Sequence, residues 1–230
     1  MERNLQKLEK NIGLKFKKID ILKNALVHRS YLNEHKDFDV DHNERLEFLG
    51  DAVLELVVTD YLYHHYREPE GILTNWRSSL VNGDQLAARA EELEVYDFLY
   101  LSRGESKDTN KKARQYILSN AFEAIVGAIY LDHGFRAAKK FVEEKLIVHL
   151  PKIIKERSYI DAKSLFQEKA QEITGVTPHY RVLSESGPDH NKKFIVGVYL
   201  DKELIAKGEG YSKQEAQTAA AAQALKLKKW

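Results

Sequence analysis

Three carboxylates at helical spacing are the residues of this sequence best suited to chemistry. Glu44, Glu47 and Asp51 stand at positions i, i+3 and i+7. Residues at these intervals stack along one side of a helix, so the three acids are expected to share a face. They repel one another there, and a divalent cation would relieve that repulsion. The spacing alone also fits an ordinary solvated surface, and that interpretation stays open.

A second segment, rich in Ala, Ile, Val and Gly, carries two further oxygen donors. Asn120 and Glu123 stand at i and i+3 within it. A carboxylate in so apolar a helix is costly unless it is paired or bound to a metal. If the two helices pack together, they form what we call the oxygen cluster: Glu47, Asp51, Asn120 and Glu123. Oxygen ligands suit Mg²⁺ or Mn²⁺ and support phosphate chemistry, although a hydrogen-bonded pair between two helices would also explain Asn120 and Glu123.

The composition excludes several other kinds of site. The 230 residues include no cysteine, which excludes disulfides, thiolate zinc sites and cysteine nucleophiles. The N-terminal segment is charged throughout, and no run approaches the roughly 18 apolar residues that a membrane span needs. We therefore expect a soluble, cytoplasmic protein with no membrane partner. The net charge is only +1, so binding of a polyanion would depend on local basic patches.

The hydrophobic pattern divides the chain into two domains. Residues 1–156 indicate successive helices, including a long one from Glu44 to about Tyr66 and one buried nearly all round from Tyr116 to Leu131. Pro151 is expected to mark the exit from the last of them. Residues 160–230 follow the order α-β-β-β-α. The predicted fold class is multidomain, with an all-α domain followed by a small α+β domain.

The motifs of both domains resemble one known family. The segment His42–Asp51, HNERLEFLGD, resembles the signature of bacterial ribonuclease III. Further matches follow in the family's order at Glu70–Thr74, Gly104–Glu105, Phe122–Ala124 and Gly127–Asp132. The second domain resembles a double-stranded RNA-binding domain at Asp161–Ser164, Gln167–Glu168 and Gly208–Lys213. The resemblance covers nearly the whole chain.

The resemblance implies a homodimeric, Mg²⁺-dependent endoribonuclease that cleaves double-stranded RNA, with Mn²⁺ as a substitute. Its products would carry 5′-phosphates, 3′-hydroxyls and short 3′ overhangs, and its substrates would include ribosomal and other structured precursor RNAs. By position, Asp51 and Glu123 are catalytic, and all four members of the oxygen cluster are metal ligands. Glu44 and Glu70 are assigned to the surroundings of the metal or to RNA contact, and Phe48 to the dimer interface.

In the second domain, the resemblance implies RNA contacts from the first helix, one loop and the start of the last helix. These contacts are assigned to Gln167, Glu168, His190, Ser212, Lys213 and Gln214. Such modules contact 2′-hydroxyls in the minor groove and the phosphates between grooves. Gln214 and Gln217 stand where the family often has basic residues, so we expect modest affinity.

Two departures from the family pattern affect the predicted function. Asn120 stands where the family usually has an acid, which predicts a weaker metal site that still works. Residues 109–114 replace a segment that often contains glycine, and we expect a basic loop there that either contacts RNA or is solvated. The alternatives to an active nuclease are a protein that binds duplex RNA with weakened cleavage and a purely structural, dimerising protein.

Overall fold

The N-terminal part of the chain is helical, as its hydrophobic pattern predicts. The computed structural model describes residues 3–157, 159, 161–188 and 192–230. The chain divides into two compact units, residues 1–159 and 160–230. The described part of the first unit contains the helices α1 (Leu5–Ile12), α2 (Ile19–Ala25), α3 (Arg29–Glu34), α4 (Glu44–His65), α5 (Glu70–Leu80), α6 (Gly83–Glu92), α7 (Arg103–Lys107), α8 (Lys111–His133), α9 (Phe135–Lys145) and α10 (Leu150–Glu156). Short 3₁₀ helices lie at Val95–Phe98 and Ile147–His149.

The core of the first unit is built around α8. This helix packs against α2, α4, α6 and α9, and nearly every residue from Ile117 to Ile129 is buried. Being enclosed on most sides, it carries apolar residues around most of its circumference, as predicted. Trp76 of α5 is buried elsewhere in this core, edge-on to Tyr66, with 5.0 Å between the ring centroids. In the described part of the chain, no helix is both long enough and apolar enough to cross a bilayer.

Two local predictions in the first unit are wrong for reasons of helix capping. α8 begins at Lys111, so residues 111–114 form its first turn and not a loop. The Asn110 side chain accepts hydrogen bonds from the backbone N–H groups of Lys112 and Ala113, which satisfies that end of the helix. Pro151 is the second residue of α10 and so lies inside a helix, where the first turn does not need the N–H that proline lacks.

The second unit has the predicted α-β-β-β-α order, which confirms the fold class. Its elements are α11 (Ala162–Thr174), β1 (His179–Ser186), β2 (Lys193–Leu200), β3 (Glu203–Gly210) and α12 (Lys213–Lys228). The three strands form one antiparallel sheet in the order β1-β2-β3. The predicted RNA contact His190 lies outside the described residues.

Small residues bring α12 close to the sheet. A Cβ at Gly208 of β3 would overlap backbone atoms of Ala216 and Ala220, so strand and helix approach without a side chain between them. In the same core, Phe166 of α11 stacks on Trp230, with 5.4 Å between the ring centroids. The start of α12, where RNA contacts are predicted, is therefore held firmly against β3.

Candidate active site

Two glycines set the distance between α4 and α8. A Cβ at Gly50 would overlap the backbone carbonyl of Glu123, and a Cβ at Gly127 would overlap that of Leu46. The two helices therefore touch backbone to backbone. Glu47 lies one turn before Gly50, and Glu123 lies one turn before Gly127, so the crossing brings acids of both helices together.

The electrostatics of this crossing link all four members of the oxygen cluster. Burial raises the pKa of Glu123 to about 7, and the negative charges of Asp51 and Glu47 contribute to the rise. Burial also raises the pKa of Glu47, to which Glu44 and Asp51 add, whereas the nearby Asn120 amide favours the ionised form. Carboxylates that are buried together without a positive partner have a free-energy cost, and a cation bound among them would offset it.

The donor set of the oxygen cluster fits a hard divalent cation. Three carboxylates and one amide supply only oxygen ligands, which Mg²⁺ and Mn²⁺ prefer. Among the described residues, no three acidic or histidine side chains are already drawn in far enough to hold an ion together. Mutual repulsion keeps unneutralised carboxylates apart, and Asp51 remains exposed. Binding would therefore require these side chains to move inwards.

A cavity of about 510 Å³ opens beside the oxygen cluster. Glu44, Glu47 and Asn120 are among the residues that line it, together with His28 and Arg29. Arg29 Nη1 is 3.6 Å from Glu44 Oε1, so the first acid of the signature is already paired. The sequence does not predict the part of this cavity that His28 lines, because its only local signal is a short polar segment before the signature.

Two residues with predicted functional roles, Glu70 and Phe48, lie outside the oxygen cluster on the first unit. Glu70 lines a separate cavity of about 460 Å³ with Thr59, Tyr63 and Arg77, and the structure does not bring it to the oxygen cluster of its own chain. Phe48 is 80% exposed. It begins a stripe of exposed residues along α4, the α4 stripe, which consists of Phe48, Ala52, Leu56, Thr59 and Tyr63.

In the second unit, the predicted RNA contacts occupy two helix surfaces. Gln167 and Glu168 are exposed on α11. Ser212 caps α12, and its Oγ accepts a hydrogen bond from Glu215 N at 3.1 Å. Lys213 and Gln214 follow in the first turn, where Lys213 Nζ lies 3.8 Å from a carboxylate oxygen of Glu185.

Comparison with known proteins identifies both units. Residues 18–150 match the model of the family described as Ribonuclease-III-like, and residues 162–228 match the double-stranded RNA binding motif. The chain belongs to the ribonuclease III family. It is therefore an endoribonuclease of the ribonuclease III type that carries a double-stranded RNA-binding domain, as the signature at His42–Asp51 predicts.

Ribonuclease III proteins from several bacteria are similar to this chain over nearly its full length. Ribonuclease 3 of Dehalococcoides mccartyi is 42% identical over 225 residues, which cover 96% of this chain and 94% of that protein. Ribonuclease 3 of Nitratiruptor is 40% identical, covering 99% and 98%. A solved nuclease domain of ribonuclease III from Campylobacter jejuni, described for flexibility in a region involved in dimer formation, has a TM-score of 0.54 and 40% identity over 62% of this chain and 98% of that one.

Proposed function

We propose that this chain hydrolyses phosphodiester bonds of double-stranded RNA at the oxygen cluster. The observation that carries this proposal is the glycine-to-glycine crossing of α4 and α8, which groups Glu47, Asp51, Asn120 and Glu123. The reaction gives 5′-phosphate and 3′-hydroxyl ends with short 3′ overhangs. Ribosomal and other structured precursor RNAs in the cytoplasm are the proposed substrates.

The proposed roles follow from exposure and charge. Glu47, Asn120 and Glu123 would hold Mg²⁺, or Mn²⁺ in its place, from the partly buried side of the cluster. A divalent cation bound there supplies an activated water and neutralises charge on the phosphate. Asp51, the exposed member, is placed to accept a proton and to complete the ligand set. Glu44, which forms an ion pair with Arg29, is assigned to the surroundings of the metal or to RNA contact.

We propose that two copies pair through the α4 stripe. Its exposed Phe48, Leu56 and Tyr63 form a largely apolar line on a helix that otherwise buries its apolar side chains. In an isologous, antiparallel pairing, Phe48 of one protomer reaches the cavity beside Tyr63 of the other. That arrangement also moves Glu70 towards the partner's oxygen cluster, where it would have the RNA-contacting or metal-surrounding role predicted from the sequence.

We assign cleavage and dimerisation to residues 1–156 and duplex binding to residues 160–230. Exposed Gln167 and Glu168 suit contacts with 2′-hydroxyls, and the first turn of α12 suits phosphate. Many lysines of the second unit are already near acids, with Lys193 on Glu209 and Lys213 near Glu185. The affinity of this domain for RNA is accordingly modest.

Cleavage of a long RNA duplex tests the proposed function. In Mg²⁺ the chain should shorten the duplex to fragments with 5′-phosphates, and in Ca²⁺ it should retain intact RNA. Glu123→Gln should bind RNA in Ca²⁺ as the unmodified chain does and should not cleave it in Mg²⁺. Retained but intact RNA in both metals would instead favour the binding protein, and no retention would favour the structural protein.

A further inference from the structure

The hydrogen bonds around His28 fix the tautomer of its ring. The Ser30 backbone N–H donates to His28 Nδ1 at 3.4 Å, and Ser30 Oγ lies 2.8 Å from the same nitrogen. Ser30 Oγ itself accepts a hydrogen bond from Ser102 N at 3.2 Å, so its own hydrogen is available for His28. Since Nδ1 accepts, the hydrogen of the neutral ring lies on Nε2.

His28 is one of the residues that line the active-site cavity, and its Nε2–H group is a donor without a partner among the described residues. Within the described residues, Nδ1 makes the hydrogen bonds of this ring and Nε2 makes none. Burial lowers the pKa of His28, against opposing effects of Glu105 and Glu44 and in line with those of Arg29 and His42. The ring therefore presents a neutral donor at neutral pH.

A neutral donor has a distinct use beside the oxygen cluster. Glu44 and Glu47 line the same cavity, and ionised carboxylates only accept hydrogen bonds. The backbone of RNA offers acceptors in its phosphate oxygens and 2′-hydroxyls. A cationic side chain would also attract phosphate, but it would oppose a divalent cation nearby, whereas a neutral imidazole does not.

We propose that His28 is a substrate-positioning residue whose Nε2–H donates to the sugar–phosphate backbone beside the scissile bond. This inference rests on the proposed function, because it places the cleaved strand in the cavity next to the oxygen cluster. Its acceptor is a backbone oxygen of the strand, either of a phosphate or of a ribose.

Two substitutions separate this role from helix capping. His28 is the N-cap of α3, and asparagine is a preferred N-cap. His28→Asn keeps an acceptor near the Nδ1 position and removes the Nε2 donor. His28→Gln places an amide donor near the Nε2 position and weakens the cap. A purely structural residue would tolerate asparagine better than glutamine, and a substrate donor would show the reverse in cleavage.

The assay is single-turnover and steady-state cleavage of a duplex in Mg²⁺, with thermal unfolding measured in parallel. We expect His28→Asn to lower kcat/KM about tenfold, the loss of one hydrogen bond, with unchanged melting temperature and Mg²⁺ requirement. We expect His28→Gln to keep kcat/KM within about threefold despite a lower melting temperature. Normal cleavage by His28→Asn, or equal losses in both variants, would overturn the inference. An unmodified chain that does not cleave would instead reject the proposed function.

Modified substrates identify the acceptor. One duplex carries a single 2′-deoxyribose beside the cut, and another carries a methylphosphonate at the neighbouring linkage. If His28 contacts the modified group, the modification and His28→Asn together should lower kcat/KM no further than the more damaging of the two changes does alone. The 2′-deoxy duplex then indicates a ribose and the methylphosphonate a phosphate. Full additivity with both duplexes would count against the contact.

Discussion

Gly50 of α4 and Gly127 of α8 lie backbone against backbone at the crossing of the two longest helices in the described chain. The same contact closes the core of the first unit and brings Glu47 towards Glu123. Stability and the geometry of the site therefore depend on one place, where a single methyl group cannot be added without separating the helices.

Gly50→Ala should destabilise the protein by about 3 kcal/mol, because its Cβ would overlap the Glu123 carbonyl. Urea unfolding followed by circular dichroism measures this loss. Gly71→Ala is the matched control, since a Cβ at Gly71 of α5 meets nothing within 4 Å. It should leave stability unchanged or raise it by up to about 1 kcal/mol. Equal stability of the two variants would show that the helices can separate at little cost.

Glu123→Gln should raise the melting temperature of the metal-free protein at pH 8. The folded-state pKa of about 7 lies above the ordinary 4.5, so folded Glu123 holds its proton more tightly than unfolded Glu123 does. The stability that Glu123 contributes is therefore fully present below pH 4.5 and is lost as the pH rises through about 7, and glutamine avoids that loss. Thermal unfolding in EDTA from pH 4.5 to 8 should show the two melting temperatures diverging with pH. A constant difference across that range would contradict the assignment.

Asn120→Asp should lower the Mg²⁺ concentration needed for half-maximal cleavage several-fold, because a fourth negative charge in the oxygen cluster would attract the cation more strongly. Without metal, the same substitution should reduce stability, since it adds a charge beside the raised-pKa Glu123. Asn75→Asp, an equal charge change at an exposed position of α5, is the control and should alter neither quantity. If both variants need the same Mg²⁺ concentration for cleavage as the unmodified chain, Asn120 does not act on the metal.

Phe48→Ala should weaken self-association at least about tenfold, as expected for an aromatic anchor of an interface. The ring is 80% exposed in one protomer, so its removal should leave the core intact. Sedimentation velocity over a range of concentrations measures the change. Leu131→Ala, which truncates another exposed apolar side chain of the first unit, should leave association unchanged. An equal weakening of self-association in both variants would indicate non-specific association.

Glu215→Gln should tighten binding of duplex RNA about two- to fivefold at low salt. The Glu215 carboxylate accepts a hydrogen bond from Tyr211 N at 2.7 Å and places a negative charge at the start of α12, where phosphate is proposed to bind. Gel retardation in Ca²⁺ gives the affinity. Glu203→Gln, which removes an exposed acid at the start of β3, is the control and should bind as before. Unchanged binding by Glu215→Gln would place the phosphate elsewhere.

Features that depend on local periodicity could be predicted from the sequence. The α-β-β-β-α order of the second unit could be predicted, because alternation such as that of buried Val196, Val198 and Leu200 in β2 is visible in the chain itself. The fold class and the family followed from such patterns and from the ten-residue signature. The grouping of the oxygen cluster could only be stated as a condition, since it requires α4 and α8 to pack at Gly50.

The part of the cavity that His28 lines could not be predicted, because hydrogen bonds between residues far apart in the sequence hold it in place. Ser30 accepts from Ser102, 72 positions away, and Glu34 accepts from the backbone N–H of Arg103. Ser30 and Glu34 both belong to the six-residue helix α3, which has no buried residue and therefore no hydrophobic pattern to indicate it. The polar rim of this site is built by tertiary contacts that leave almost no trace in local sequence.

The chain's two tryptophans are divided between its two cores. Trp76 packs edge-on against Tyr66 in the helical unit, and Trp230 stacks on Phe166 in the sheet-containing unit. Each unit therefore contains its own intrinsic fluorophore in a different aromatic environment. With one indole replaced by phenylalanine, the emission of the other follows the opening of a single unit, so that loosening of either during RNA cleavage is visible without an added dye.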